Sequence, residues 1–372
     1  MKKYIVTTAG GLGNQMFNYS VWYYLKNLKH QNAILYPKRK DLLDHNGYEL
    51  NRIFANAQKP TPPNKYMDTI IRIQQKANRY IQFINRHTKY SYIEKLFNQC
   101  MPIQLIEFPN WNSYTFLNDI LPEIKEAFAY PPDKDKRNTT LIQTMSECES
   151  VSLHIRRGDY QNIPRWRMVL GDICDKKYYE NAIRLVTDQK KNPQFFVFSD
   201  DIDWVKQNID IPNALFINWN KKDTSYRDMQ LMASCKTNII ANSTFSLMAT
   251  WLNIHKDCWH IVPQKWRNYY NDQTYKKYIP NSKGWTIINN NYPNVSIILT
   301  KETKNISHIL KQSYTDFELI LPQNQDNTFN DPRVKDYAMP ATGNHIFECK
   351  DINLYKDRNF LEKQLASYFS NN

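Results

Sequence analysis

Several features that define common classes of protein are scarce or missing in these 372 residues. No stretch approaches the roughly 20 consecutive apolar residues that a membrane-spanning helix needs, and the apolar part of the N-terminus is too short for the core of a secretory signal peptide. The six cysteines form no CxxC pair and show no metal-ligand spacing, so neither a disulfide scaffold nor a zinc module is expected. Without an export signal, the expected compartment is the cytosol. Aromatic residues are plentiful at 14%, which argues against disorder, and the length predicts about two domains.

Acidic residues are too few to balance the basic ones, and the formal net charge is +13. Such an excess attracts nucleic acid, anionic lipid or anionic substrates. No helix-turn-helix, zinc finger or RNA-binding signature is present, so no nucleic-acid partner is expected. A phosphate-bearing small molecule or an anionic membrane surface fits better. A long basic amphipathic helix predicted between residues 65 and 95 could lie on an anionic bilayer, or it could be an ordinary surface helix of a basic protein.

Glycine is also rare, with eight residues in all, yet three of them lie within residues 10–13. The cluster follows a β-like run at 4–8 and precedes a helical pattern at 15–28, for which Asn14 is the expected N-cap. Strand, glycine turn and helix predict the first half of a βαβ unit. The loop could hold an anion on its backbone N–H groups, or it could be a tight turn that lets another segment approach. It has neither a complete GxGxxG motif nor a Walker lysine.

From residue 150 onward, apolar strands alternate with helical patterns, which predicts a parallel sheet covered on both faces. Ligands of such sheets bind outside the carboxyl ends of the strands. Polar clusters occupy three of these ends, at 154–160, 199–201 and 242–246. A binding site is therefore expected there. No nucleophile elbow or ordered Ser-His-Asp set supports hydrolase chemistry.

Each of these clusters has two interpretations. Arg156 and Arg157 offer planar forked donors that suit phosphate, or they form an exposed basic turn in which Asp159 is an ion-pair partner. Asp200 and Asp201 could bind a metal, a sugar or a base, or one of them could cap the helix predicted at 202–207. Residues 243 and 244 are a serine and a threonine at a strand-to-helix junction, where they could cap the helix, direct its N-terminus at a phosphate, or both.

Over roughly residues 1–288 the chain resembles the bacterial α-1,2-fucosyltransferases of glycosyltransferase family 11. The resemblance rests on motifs that occur in the family's order: GGLGNQMF at 10–17, VSLHIRRGDY at 151–160, FVFSDD at 196–201, YRDMQLM at 226–232, IANSTFS at 240–246 and PQKW at 263–266. Taken together, the HxRRGDY and NSTFS motifs are specific to the family. One departure is that Leu247 and Met248 stand where the family usually has two tryptophans.

The resemblance implies an α/β fold of the GT-B type, with two Rossmann-like domains facing a cleft. Residues 1–140 would form the acceptor-side domain and 141–288 the GDP-fucose-binding domain. The implied reaction is inverting transfer of L-fucose from GDP-fucose to the 2-hydroxyl of a terminal β-galactoside during synthesis of a bacterial surface glycan such as lipopolysaccharide or capsule. It would need neither a metal nor another cofactor.

The resemblance also implies roles for individual residues. Arg156 and Arg157 would bind the donor diphosphate, with His154 and Asp159 beside them. Arg157, Asp159 and His154 form the expected catalytic set. Asp159 is the first candidate for the base that accepts the acceptor proton, and His154 the second.

Further substrate contacts follow from the other motifs. Ser243, Thr244 and Phe245 would contact the donor, and Asp200 would hold its guanosine portion. Asn14 and Gln15 would line the cleft on the acceptor side. The alternatives are fucosyl transfer to another acceptor or linkage, or a non-catalytic protein that binds a nucleotide or polyanion.

After a predicted linker at 289–294, residues 295–337 resemble the opening βαβ unit of family 2 glycosyltransferases. That family continues into a much longer domain with a metal-binding acidic motif, whereas residues 321–324 here read LPQN. Residues 295–372 are therefore predicted to be a small, non-catalytic βα appendage.

Overall fold

The structure is a computed structural model that describes residues 2–39, 42, 46–87, 101–107, 116–269, 271–290, 293–303, 305–323, 325, 327–336 and 339–371. The strands are β1 Lys3–Thr8, β2 Asn32–Pro37, β3 Ile103–Ile106, β4 Ser150–Ile155, β5 Gln194–Ser199, β6 Ala214–Ile217, β7 Thr237–Ile239, β8 Trp259–Pro263, β9 Trp285–Ile288, β10 Val295–Leu299, β11 Phe317–Ile320, β12 Val334–Lys335 and β13 His345–Cys349. The α-helices are α1 Leu12–Tyr23, α2 Leu50–Ile53, α3 Lys65–His87, α4 Phe116–Asp119, α5 Leu121–Ala127, α6 Lys136–Glu147, α7 Gly158–Asn162, α8 Pro164–Leu170, α9 Lys176–Gln189, α10 Ile202–Asn208, α11 Tyr226–Ala233, α12 Thr244–Trp251, α13 Tyr275–Tyr278, α14 Ser307–Leu310 and α15 Phe360–Asn371.

Contacts within the chain divide it into two compact units, and neither is one continuous stretch. The first unit comprises residues 1–147, 219–235 and 243–256, and the second comprises 148–218, 236–242 and 257–372. Helices α11 and α12 therefore belong to the first unit, although the strand between them belongs to the second.

The first unit contains a parallel sheet in the order β2-β1-β3. Helix α1 connects β1 to β2, which confirms the predicted βαβ unit. The expectation that Asn14 caps α1 is wrong: the helix begins at Leu12 with Gly11 at its N-cap. Gly10 has a φ of +77°, a conformation that glycine adopts without a Cβ penalty, and the turn there lets the helix start before Asn14.

The predicted basic helix is confirmed over Lys65–His87, and residues 88–95 of that prediction lie outside the described residues. The helix packs Ile71 against Ile5 and Tyr36 of the sheet. Within the described residues, no helix is both long enough and apolar enough to cross a membrane.

The second unit is built on a parallel sheet in the order β6-β5-β4-β7-β8-β9. All six residues of β4 are buried, as is typical of a parallel strand covered on both faces. The chain proceeds from β4 outward to β6 and then returns to the other side of β4 for β7, β8 and β9. The predicted α/β fold with parallel sheets is confirmed, and the order reverses between β4 and β7. This reversal is the switch point at which doubly wound sheets bind their ligands.

The C-terminal part of this unit is a smaller parallel sheet in the order β12-β11-β10-β13. Its core includes Ile297, Leu319 and residues of α15 such as Leu365, which confirms the predicted βα appendage. Two asparagines of the segment before it are buried, since Asn290 and Asn294 are 2% and 0% exposed.

Candidate functional site

A pocket lies at the carboxyl ends of β4 and β7, at the switch point of the large sheet. It is lined by Ile155, Arg156, Arg157, Gln161, Leu170, Asp172, Ile173, Cys174, Asp175, Lys176, Trp204 and Asn242. The prediction that polar clusters from these strand ends lie close together is confirmed for Arg156, Arg157 and Asn242, which line the same pocket. The Asn242 amide donates to the carbonyl oxygens of Leu170 and Trp266, so it also ties together the loops around the pocket.

Arg157 presents donors to the pocket. Its Nε donates to Asp201 Oδ2 at 3.1 Å, and its guanidinium carbon lies 3.6 Å from the centroid of the Trp204 ring. Among the described residues, no acceptor bonds to its terminal nitrogens Nη1 and Nη2. The ion pair and the cation–π contact together fix the plane of the guanidinium, and two of its nitrogens remain available to a ligand.

Arg156 is held differently, because both of its terminal nitrogens have carboxylate partners. Nη2 lies 2.5 Å from Asp159 Oδ1, and Nη1 lies 2.9 Å from Asp200 Oδ2. The predicted ion pair between Arg156 and Asp159 is thus confirmed, although Arg156 is half-buried and not part of an exposed turn. A ligand would have to share or displace these carboxylates to reach its terminal nitrogens.

The local charge is not a simple basic patch. Two guanidiniums face the three carboxylates of Asp159, Asp200 and Asp201, so the formal charge of this group is −1. An anion bound here would therefore depend on oriented donors rather than on a general positive field.

Asp200 sits at the centre of this network. Its Oδ1 accepts the backbone N–H of Arg157 at 2.8 Å, while Oδ2 pairs with Arg156. A Cβ at Gly158 would lie 2.5 Å from Oδ2, so the glycine of the motif makes room for this carboxylate. Asp201 is the N-cap of α10, because its side chain accepts the backbone N–H of Trp204. The capping interpretation is confirmed for Asp201.

His154 is buried, with a relative exposure of 6%. Burial, together with the nearby charge of Arg156, lowers its pKa to about 4. The imidazole is therefore neutral near pH 7. Asp159, with 29% of its side chain exposed, is the more accessible of the two candidate bases.

The other predicted residues lie in the first unit, where the glycine loop meets α12. A Cβ at Gly13 would lie 2.5 Å from the carbonyl carbon and oxygen of Thr244, so α1 and the start of α12 pack backbone against backbone. The side chain of Thr244 donates to Asn14 Oδ1 at 2.6 Å. Of the two interpretations of the loop, the structure confirms the close approach of another segment.

Gln15 is engaged entirely by backbone groups. Its amide nitrogen donates to the carbonyl oxygens of Gly10 and Gly47, and its amide oxygen accepts the N–H of Glu49. The residue is 3% exposed, so it holds the loop at 46–49 against the start of α1.

The cap of α12 is Ser243, whose side chain accepts the N–H of Phe245. Phe245 itself is half-buried. Leu247 and Met248, where the family usually has tryptophans, are each 1% exposed, and therefore fill the core rather than a surface.

Most of the other residues that line the pocket were not predicted from the sequence, and two of them, Trp204 and Asp172, have clear structural roles. Trp204 stacks on Arg157, and its signal is only an aromatic residue three positions after Asp201. Asp172 lines the pocket with a φ of +56°, and nothing in the sequence around it marks that role. Within the described residues, no group of three or more His, Cys, Asp or Glu side chains is arranged to hold a metal ion.

A doubly wound sheet with a donor-lined pocket at its switch point is typical of enzymes that bind nucleotides. The sequence profile described as Glycosyl transferase family 11 matches residues 1–289. The chain belongs to this family, and it is a glycosyltransferase.

Three characterised relatives share most of this region. The O-antigen biosynthesis glycosyltransferase WbnK of Escherichia coli is 30% identical over 289 residues, which span 69% of this chain and 93% of WbnK. An alpha-1,2-colitosyltransferase of the same species is 29% identical, over 70% of this chain and 91% of its own. Galactoside alpha-(1,2)-fucosyltransferase 2 of Mus musculus is 25% identical, over 67% of this chain and 68% of its own.

Proposed function

We propose that this glycosyltransferase transfers L-fucose from GDP-fucose to the 2-hydroxyl of a terminal β-galactoside, with inversion and without a metal, in the synthesis of a bacterial surface glycan. The observation that carries the proposal is Arg157: its guanidinium is fixed in the switch-point pocket, and its two terminal nitrogens have no acceptor among the described residues. The names of the relatives support the linkage, since two of them carry α-1,2 transfer in their names.

In this proposal the pocket binds the diphosphate of the donor. As the bond from the fucosyl carbon to the β-phosphate oxygen lengthens, negative charge builds on the departing GDP. The terminal nitrogens of Arg157 donate to that charge without reorganising, because Trp204 and Asp201 already hold the guanidinium. A preorganised donor of this kind typically contributes about 10²–10³ in kcat.

A base must accept the proton of the acceptor hydroxyl. Asp159 remains the first candidate, because its carboxylate is partly exposed. His154 is the second candidate, and in its buried position it would need the bound substrate to open a route to the ring. Both residues also orient or neighbour Arg156, so the loss of either would disturb donor binding as well as proton transfer.

The remaining contacts belong to the same proposal. Asp200 would touch the guanosine portion through lone pairs left after its bonds to Arg156 and Arg157. Ser243, Thr244 and Phe245 would contact the donor at the start of α12. Asn14 and Gln15 would shape the acceptor side chiefly through the backbone they hold. No cofactor takes part.

The deciding experiment is transfer to lactose in the presence of EDTA, with GDP-fucose as donor and the product linkage read by NMR. An α-1,2-linked product would support donor, regiochemistry and metal independence together. Transfer that returns only with Mg²⁺ would contradict the metal-independent mechanism. Because one relative is named for colitosyl transfer, a parallel reaction with a colitosyl donor tests which sugar the pocket accepts.

Absence of transfer would leave two alternatives that GDP binding separates. Tight, salt-resistant binding of GDP without transfer to lactose would point to a different acceptor or linkage. Binding that weakens steeply with salt and shows no preference for GDP would favour a polyanion-binding protein.

The proposal includes an anionic membrane surface as a partner, at the cytosolic face where the donor is expected. Helix α3 exposes Tyr66, Ile73 and Tyr80, which are spaced by seven residues and so share one face. Arg72 and Arg79 are exposed beside them. Such a face suits the interface of an anionic bilayer. Cosedimentation with phosphatidylglycerol vesicles but not with phosphatidylcholine vesicles would support this partner, and loss of binding in Ile73→Glu would place it on α3. Equal behaviour with both vesicles would leave α3 an ordinary surface helix.

A further inference from the structure

Asp172 lines the pocket. It is held in place by residues that lie outside the family match at 1–289. The C-terminal segment, defined here as residues 294–372, contacts it twice. The side-chain amide of Asn344 donates to the backbone carbonyl of Asp172 at 3.0 Å. His345 Nε2 lies 3.2 Å from its carboxylate Oδ2. One residue of the pocket is thus fixed at both its backbone and its side chain.

Asp172 needs such support because of its backbone. Its φ of +56° is in the left-handed region, which costs a residue other than glycine free energy unless its surroundings determine it. Arg167 adds a third contact, with Nε 3.3 Å from the same carboxylate oxygen. Burial would raise the pKa of Asp172, but the hydrogen bond from His345 and the charge of Arg167 outweigh it and lower the pKa. The carboxylate is therefore charged at neutral pH.

The contact of Arg167 reaches further into the C-terminal segment. Its guanidinium carbon lies 4.6 Å from the centroid of the Phe369 ring in α15. The next residue, Met168, packs against the hydrophobic core of that segment. Helix α8, which leads into the pocket wall, therefore rests on the C-terminal segment as well.

Ile173, the next residue of the wall, is anchored by an independent chain of contacts. Its carbonyl accepts from the amide of Asn290 at 2.9 Å, and Asn290 Oδ1 accepts the backbone N–H of Lys265. Lys265 Nζ then pairs with Asp316 Oδ2 at 2.7 Å, with side-chain exposures of 2% and 6%. A buried ion pair therefore joins the PQKW motif of the family to the C-terminal segment.

From these contacts we infer that the C-terminal segment is a positioning element of the donor pocket, and that Asn344 and His345 are positioning residues that hold Asp172 in its binding conformation. The inference rests on the proposed function in that the ligand is taken to be a nucleoside diphosphate. Without the two contacts, residues 171–175 can leave the left-handed turn, and the pocket loses part of its wall.

The test compares Asn344→Ala, His345→Gln and the double variant in the full-length chain. Asn344 is exposed, so its truncation leaves no cavity in the core. Glu348→Ala is the matched control, because Glu348 is an exposed residue of the same strand, β13. The measurements are the Kd for GDP by calorimetry, kcat and KM for the donor, amide hydrogen exchange of peptides covering residues 170–176, and the melting temperature.

We expect the double variant to raise the Kd for GDP and the donor KM by about tenfold, as network residues outside a ligand site can. We expect faster exchange at 170–176, with kcat within about twofold of the original and an unchanged melting temperature. Unchanged affinity in spite of faster exchange would overturn the inference, and so would unchanged exchange. A matching loss of kcat and melting temperature would also overturn it, because that pattern indicates general support of the fold. Failure of the unmodified protein to bind GDP would instead refute the proposed function, and the inference with it.

Discussion

Replacement of Arg157 by alanine should abolish most of the transferase activity. The change removes two terminal nitrogens that have no acceptor among the described residues, so the loss at these two atoms falls on the ligand. For the loss of one preorganised donor, mutational data give about 10²–10³ in kcat, or about 2.7–4 kcal/mol of transition-state stabilisation. Because a guanidinium can donate through both nitrogens to one phosphate, we expect kcat/KM to fall by at least about 10³-fold.

The fold should survive this substitution. The salt bridge that it removes is with Asp201, whose side chain is 40% exposed, and such pairs are worth about 0–1 kcal/mol. Loss of the contact with Trp204 adds about 0.5–2 kcal/mol. For a protein of this size, a loss of that order lowers the melting temperature by only a few degrees. Circular dichroism and a thermal melt check this expectation.

Two further variants sharpen the test. Arg157→Lys keeps the charge but loses the planar fork, so its activity should lie between the original and the alanine variant. Arg165→Ala is the matched control, because Arg165 also stacks on a tryptophan, with its guanidinium carbon 4.9 Å from the centroid of the Trp166 ring, and yet it is absent from the pocket wall. Activity of a folded Arg157→Ala variant within about tenfold of the original, or an equal loss in Arg165→Ala, would refute the assignment of the diphosphate site.

Three other predictions concern stability. Burial raises the pKa of Asp228 to about 7, although a hydrogen bond from Asn220 opposes the rise. Well below pH 7 the native state therefore holds a neutral carboxyl, and the free energy of unfolding should fall by about 3–4 kcal/mol between pH 4 and pH 8. In urea titrations Asp228→Asn should flatten that dependence, and an unchanged slope would contradict the assignment. Gly13→Ala should destabilise the protein by about 1–3 kcal/mol in the same titrations, because its Cβ would collide with the backbone of α12. Gly11→Ala has open space and should cost less, because only the preference for glycine over alanine at the N-cap is lost. Equal effects of the two variants would count against the packing argument. Lys265→Met should lower the free energy of unfolding by about 3–5 kcal/mol, because it leaves the buried carboxylate of Asp316 without its cation. Adding Asp316→Asn should recover part of that stability. A double variant as unstable as the single one would show that the ion pair is not the cause.

The sequence predicts which strand ends form the site, because the ends of strands can be recognised from the pattern of residues. Apolar runs followed by polar clusters place Arg156 and Asn242 at the ends of neighbouring parallel strands, and the structure confirms that both line one pocket. The sequence also indicates a capping role for Asp201, since short polar residues before a helix commonly serve that purpose.

What the sequence could not supply were contacts between residues far apart in the chain. The predicted start of α1 is wrong. Asparagine is a common N-cap residue, but the side chain of Asn14 accepts a hydrogen bond from Thr244, 230 positions away. The asparagines of the predicted linker have turn-like composition, yet Asn290 is buried because its amide satisfies backbone groups from two other segments. Asp172 has no local signal at all, since its left-handed backbone depends on partners near residue 345.

The approach of Gly13 to Thr244 also constrains how the chain can mature during synthesis. The first unit includes residues 219–235 and 243–256, so its N-terminal strands and helices leave the ribosome long before their last packing partners exist. Until residue 256 has emerged, the face of α1 that receives α12 stays uncovered. Contacts between such distant segments form late, after the entropy of closing a long loop has been overcome. A nascent chain halted near residue 147 should therefore present a chaperone-binding surface rather than a finished domain.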